Sequence, residues 1–168
     1  TIGNGAGGTT PTISISNMAL NQKGITLAQG NTLKGFNVAT NDASQTGIVD
    51  GGGTVGALTI SDVDVTGTGM AVDIDQGGAL NVAFDTLSST GSGQQGVQLA
   101  GTALSGTFSA TTGSISGSTG AAFLVGDGAG TANTGGTAAI SYGGSISSVG
   151  TARTGGAAYD VLARRGPS

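Results

Sequence analysis

Apolar and polar residues alternate along this chain in short runs, and the runs return about two dozen residues later. One set of runs reads Ile25/Leu27, Ile48, Val72/Ile74, Val97/Leu99 and Phe123/Val125. A second reads Phe36/Val38, Leu58/Ile60, Leu80/Val82/Phe84, Leu104/Phe108 and Ala138/Ile140. A third, shorter set reads Val63/Val65, Leu87, Ile115 and Ile146. Alternation with period two is the mark of a half-buried strand, one face in and one face out. Ile13/Ile15 and Met18/Leu20 supply the second and third runs of a partial turn ahead of the first complete one.

The chain divides at Gly-rich starts into Gly24–Thr46, Gly47–Gly69, Met70–Gln95 and Gly96–Gly120, four units of nearly equal length. A longer unit follows from Ala121 to Gly155, and Gly156–Leu162 opens another. Equivalent apolar residues return one unit later, so each strand has its natural partner in the next unit. That is the requirement of a solenoid, whose coils bury their inward residues against the coils above and below. The spacing therefore predicts an all-β fold, a single-stranded right-handed parallel β-helix of about six coils of roughly 23–26 residues, one of them expanded. Stacked strands about 4.8 Å apart would make it a rod roughly 25–30 Å long. It is read as one domain over residues 1–168: a partial coil over 1–23, repeated coils over 24–155, and a last partial coil with a polar tail over 156–168. Leu58, Leu80 and Leu104 are expected in one inner column. The insert from Gly126 to Gly136 is expected to be a loop on one face.

Composition strengthens this picture. There are 35 Gly, Glu is absent, and the only lysines are Lys23 and Lys34. Gly costs about 1 kcal/mol against Ala inside a helix, so helical folds are disfavoured. A disordered chain would not keep apolar residues at 36% and in fixed places. Gly permits the sharp corners of a tight coil, and Asn41-Asp42 is the next most tolerant pair for such a turn. Pro11 and Pro167 both fall outside the repeats, as they must if every repeated strand donates hydrogen bonds. The leucine-rich repeat has a similar length, but its Leu/Asn consensus is missing.

The units from Gly24 to Gly155 resemble the right-handed parallel β-helix repeats of bacterial surface proteins, autotransporter passenger domains and large Gly/Ser/Thr-rich adhesins among them. The resemblance runs from about Thr12 to Leu162 and is one of style, with no invariant catalytic motif to carry over. It implies a secreted or cell-surface location, and a role as a rigid spacer or an adhesive surface. The partner it implies is a host-surface or matrix glycan or protein. No barrel translocator of the autotransporter kind is present in this sequence, so the resemblance makes the chain a piece of a larger protein. Zero Cys suits a chain that crosses a membrane unfolded.

The candidate chemistry is sparse. His, Cys and Glu are all missing, which removes the usual general base, the thiol nucleophile and half of the carboxylates. The chain is accordingly read as not an enzyme. The alternative is a carbohydrate-binding or polysaccharide-degrading β-helix, which would use a calcium-binding Asp cluster with a basic residue beside it. Asp62, Asp64, Asp73, Asp75 and Asp85 form the one Asp-rich stretch. Asp62/Asp64 and Asp73/Asp75 each share a strand face, leaving Val63, Val65 and Ile74 to point inward. One unit length along the chain takes Asp62 to Asp85 and Asp50 to Asp73. Like charges so stacked invite a hard cation with oxygen ligands, Ca²⁺ being the candidate. The simpler expectation is that these side chains splay into water, and no GGxGxD nonapeptide of calcium-binding β-rolls occurs.

Other readings are weaker. Gly3–Gly8 and Gly91–Gly96 satisfy GxGxxG, but neither leads from a strand into a helix. Five basic residues without a cluster argue against nucleic acid, and no run approaches a membrane span. Ranks of Thr for ice binding would need Thr10/Thr12 and Thr66/Thr68 in register, which the spacing does not give. All four Phe fall at inward positions, while Tyr142 and Tyr159 suit a core edge with a wet hydroxyl. Thr1–Thr9 and Ala163–Ser168 hold no cap, so either further coils or end-to-end stacking of identical chains into a filament is expected at the ends.

Overall fold

The computed structural model describes residues 10–15, 21–126, 135–147 and 159–161, with 159–161 as backbone only. Among the described residues, fifteen strands and no helix build three parallel sheets. Sheet A stacks β1 (Thr12–Ile15), β3 (Thr32–Thr40), β5 (Ala57–Gly67), β7 (Ala79–Leu87), β10 (Ser105–Thr112) and β13 (Ala139–Tyr142) in that order. Sheet B stacks β2 (Lys23–Leu27), β4 (Thr46–Asp50), β6 (Met70–Ile74), β9 (Val97–Leu99), β12 (Phe123–Val125) and β15 (Tyr159–Val161). Sheet C is short: β8 (Ser89–Thr90), β11 (Ser114–Ser116) and β14 (Ser145–Ile146). The chain passes from B to A, later through C, and back to B one level down. This is a parallel β-solenoid.

It makes about four turns, not six. The outermost strands of the sheets belong to incomplete coils, and counting each run of apolar residues as a full coil inflates the number. The pitch of about 4.8 Å then gives a rise of roughly 20 Å.

Sheet B follows the sequence repeat closely. Ile25 lies opposite Ile48, Ile48 opposite Val72, Val72 opposite Val97, and Val97 opposite Phe123. Ile74, Leu99 and Val125 make a second column. Sheet A keeps a less even step. Phe36 faces Val63, whereas Ile60 faces Val82, a markedly shorter distance along the chain.

Two expectations need correction here. Val63 and Val65 do not form a separate third strand; they continue β5 after Leu58 and Ile60. The strand bends between them at Asp62, whose φ is 54°, level with Gly35 in β3 at φ 74°. The bend breaks the alternation, so Ile60 and Val63 both face inward and both are buried. The second correction is Leu104. Leu58 does face Leu80, but Leu80 faces Gly106. Gly106 has φ 82°, and a Cβ there would run into the Leu80 carbonyl oxygen. Leu104 is instead buried at the corner entering β10, level with Gly78, where Val55 fills the room that a side chain would take.

All four Phe are buried, as their inward positions require. Phe84, Phe108, Phe123 and Tyr142 form a chain of tilted and edge-on ring contacts with centroids 5.7, 6.2 and 6.0 Å apart. Tyr142 stands at the core edge, half-buried, and donates its hydroxyl to the Leu87 carbonyl at 2.9 Å. Burial pushes its phenol up to about 12.

Candidate functional site

Irregular segments join the sheets, and one set lies at the corner where each coil leaves sheet B for sheet A. Residues 28–31, 51–56, 75–78 and 100–104 stack there, held by Gly30 N–H to Val55 O and Val55 N–H to Gly77 O, both 3.0 Å. Thr54 adds a hydroxyl bond to Gly77 O at 3.0 Å. Gly126, Gly135 and Gly136, at the two ends of the long insert, reach the same corner; residues 127–134 lie outside the described residues. An open cleft of about 290 Å³ is lined there by Leu27, Ala28, Gln29, Gly51, Gly53 and Thr54.

Asp50 anchors this corner. It ends β4 in an inner position opposite Leu27 and is 5% exposed. A buried carboxylate is tolerable only if it is hydrogen-bonded. Its Oδ2 accepts from Asp75 N–H at 2.7 Å and Gln76 N–H at 3.0 Å, and its Oδ1 from Gly52 N–H at 3.1 Å. One carboxylate thus ties its own turn to the turn of the next coil with charge-assisted bonds. Spacing alone marks Asp50 only as a stacking partner for Asp73. The signal that does distinguish it is Asp followed by Gly-Gly-Gly, since Asp commonly accepts from the amide two residues on.

Asp73 is the contrasting neighbour. It faces outward from β6 between Val49 and Gln98, with Leu124 one strand beyond Gln98, and Val49 and Leu124 are each 5% exposed. Its Oδ1 is buried with no hydrogen-bond partner. Burial, with Asp75 and then Asp50 adding like charge and Lys23 opposing, raises its carboxyl to about 6. Asp75 follows β6 and accepts from Gln76 Nε2 at 2.6 Å.

The other three carboxylates lie elsewhere. Asp62 and Asp64 are on β5 and Asp85 is on β7, all in sheet A. Asp62 pairs with Lys34 at 3.3 Å, both side chains 60% exposed. Asp64 lies between Asn37 and Thr86, with a buried Oδ1 that lacks a partner. The five aspartates are therefore divided between two sheets. The expected stacking by one unit length fails as well: Asp64 faces Thr86, and Asp73 faces Val49 instead of Asp50. Among the described residues, no three acidic side chains are placed to hold one ion. Val63, Val65 and Ile74 do point inward, as expected.

Comparison with models of known protein families, with curated proteins and with solved structures finds no match. This chain's own residues must therefore carry any functional conclusion. Gly91–Gly96 runs from β8 to β9, strand to strand, so the phosphate-binding geometry is not built there. Gly3–Gly8, Met18/Leu20 and the side chain of Tyr159 lie outside the described residues.

Proposed function

We propose that this chain is a structural module, a stiff β-helical spacer that also offers a flat surface for adhesion, in a secreted or cell-surface bacterial protein. The observation that carries the reading is the outer face of sheet A. Thr32, Thr59, Asn81, Thr107 and Ala139 stand in one unbroken register column, beside a second of Ala57, Ala79 and Ser105. Short, mostly uncharged side chains on a continuous ladder make a level surface that suits packing or contact over area, and they offer no nucleophile beside a base. The whole described chain is spent on coil-to-coil pairing, as a spacer demands. The partner is a surface glycan or matrix protein, and nucleic acid is not expected for a chain of net charge -4.

The carbohydrate-acting alternative would need carboxylates with arginine or aromatic side chains around a groove. The corner cleft is lined among the described residues by Leu, Ala, Gln, Gly and Thr only. The test is direct. Beads coated with the chain should bind to immobilised matrix proteins or a glycan array, and surface proteolysis of the producing cells should remove it. Release of reducing sugar from polysaccharides, or recovery only from the cytoplasm, overturns the proposal.

A further inference from the structure

The outward columns of sheet A lie ahead of the bend that Asp62 makes in β5. Thr32, Thr59, Asn81 and Thr107 follow one another residue for residue, with no offset between strands. Ala57, Ala79 and Ser105 run beside them on one side, and Ala83, Ser109 and Ser141 on the other. Neighbouring strands are about 4.8 Å apart and alternate residues of one strand about 7 Å apart, so the outward side chains mark a rectangular grid. Threonine has few χ1 choices, which gives each hydroxyl and methyl of the rank a fixed place. Among the described residues, none of the four side chains in the central column is engaged in a hydrogen bond within the chain. Spacing along the chain hides this rank, because the step from Thr32 to Thr59 to Asn81 to Thr107 is uneven.

We propose that this grid binds the surface of an ice crystal, whose water oxygens repeat over two distances close to those of the grid. Hydroxyls and methyls held at lattice spacing let the first water layer on the protein merge with the ice layer instead of competing with it. Charge matches as well. Ice carries none, and the columns carry none from Ala57 down to Ser141. Lys34 stands at one margin, and its charge is met by Asp62 at 3.3 Å. A second copy of the chain suits the face less well. Its extent is roughly 20 Å by 15 Å, or about 300 Å² in projection, against about 800 Å² per partner in a stable interface. A lattice engages the whole of a small level grid at once and needs no pocket. The inference uses the face of the adhesive reading but does not depend on a glycan or matrix partner.

Asn81 is the one break between Thr32 and Thr107. It brings an amide without the branched methyl, and its longer side chain is less fixed than threonine's. Asn81→Thr makes the rank continuous and therefore strengthens the contact. Thr59→Tyr with Thr107→Tyr raises two rings above the grid and holds the ice surface away from it. Both positions face outward between buried neighbours, so the core is untouched. Thr90→Tyr, at an exposed position of sheet C, leaves the grid intact.

Ice-affinity partition tests this. A fluorescently labelled chain is frozen slowly onto a cold finger, and its share in the ice is compared with that left in the liquid. Wild type and Thr90→Tyr should enter the ice, and Asn81→Thr should enter it more fully. The Thr59→Tyr/Thr107→Tyr variant, with strand content checked by circular dichroism, should stay in the liquid. Asn81→Thr reads a gain, so the test does not rest on a variant that fails to fold. Exclusion of both wild type and Asn81→Thr from the ice overturns the proposal. So does entry of the folded double variant to the wild-type extent, which would put the ice contact on another face. Entry into ice by a chain that binds no glycan or matrix protein upholds this proposal and overturns only the adhesive partner.

Discussion

Asp50 and Asp73 sit on adjacent strands of sheet B and solve the problem of a shielded carboxylate in opposite ways. Asp50 faces inward, is nearly sealed, and is met by three backbone amides from two coils. Asp73 faces outward, is less buried, and has an oxygen with no partner and two carboxylates for neighbours. Depth of burial is thus a poor guide to cost. What matters is whether local backbone amides converge on the charge, and they converge where the chain turns, not where it runs straight.

Asp50→Ala should upset this contrast most. It strands three part-buried amides at the corner and should cost roughly 3 kcal/mol, since each unsatisfied buried group costs about 1–3 kcal/mol. Urea unfolding would register it as a fall in midpoint. An unchanged midpoint would mean the corner is held by Val55 and Thr54 alone.

Asp73→Asn should act in the other direction at neutral pH. The folded-state value is raised above 3.8 to about 6, so the native state keeps a proton that the unfolded chain loses first. That stability is complete below about pH 4, declines as pH rises toward 6, and is absent above it. The asparagine variant should flatten this decline and gain on the order of 1–2 kcal/mol at pH 7, after allowance for solvent screening. Melting temperatures of both proteins at pH 4 and pH 7 make the comparison. An equal decline in both would remove Asp73 as its source.

A smaller gain is expected from Asp62→Gly. Asp62 holds φ 54° at the bend where Gly35 occupies the level above. Glycine adopts that conformation without a Cβ clash, and about 0.5–1 kcal/mol of strain relief is partly offset by losing the exposed Lys34 pair. A loss exceeding about 1 kcal/mol in urea unfolding would instead make the ion pair the larger of the two effects. Smallest of all is the response to calcium. With the aspartates divided between two sheets, millimolar Ca²⁺ should leave the melting temperature unchanged, whereas a rise that Asp73→Asn abolishes would place an ion at Asp73 and Asp75.

The architecture is readable in the sequence because parallel stacking repeats one inward residue per coil. Sheet B, whose step lengthens only slightly from coil to coil, is legible down to the single column from Ile25 to Phe123. Sheet A is not, because Asp62 and Gly35 each shift the alternation and Gly106 empties a position that spacing alone assigns to Leu104. The candidate site is legible in residue type and not in grouping. Spacing puts Asp50 beneath Asp73, but the actual register sets Asp73 opposite Val49 and leaves Asp50 free to turn inward. Polar satisfaction by backbone amides leaves no periodic trace in a sequence, so the role of Asp50 emerges only with the turn of the next coil in place.

The solenoid depends on strands pairing with their copies one coil away. Cross-strand amide and Hα contacts measured by NMR test that most directly, at the outward column of sheet A. Asn81 should show contacts to both Thr59 and Thr107, its register partners above and below. Contacts from β7 to β6 in an antiparallel hairpin pattern, with none from Asn81 to either threonine, would contradict it.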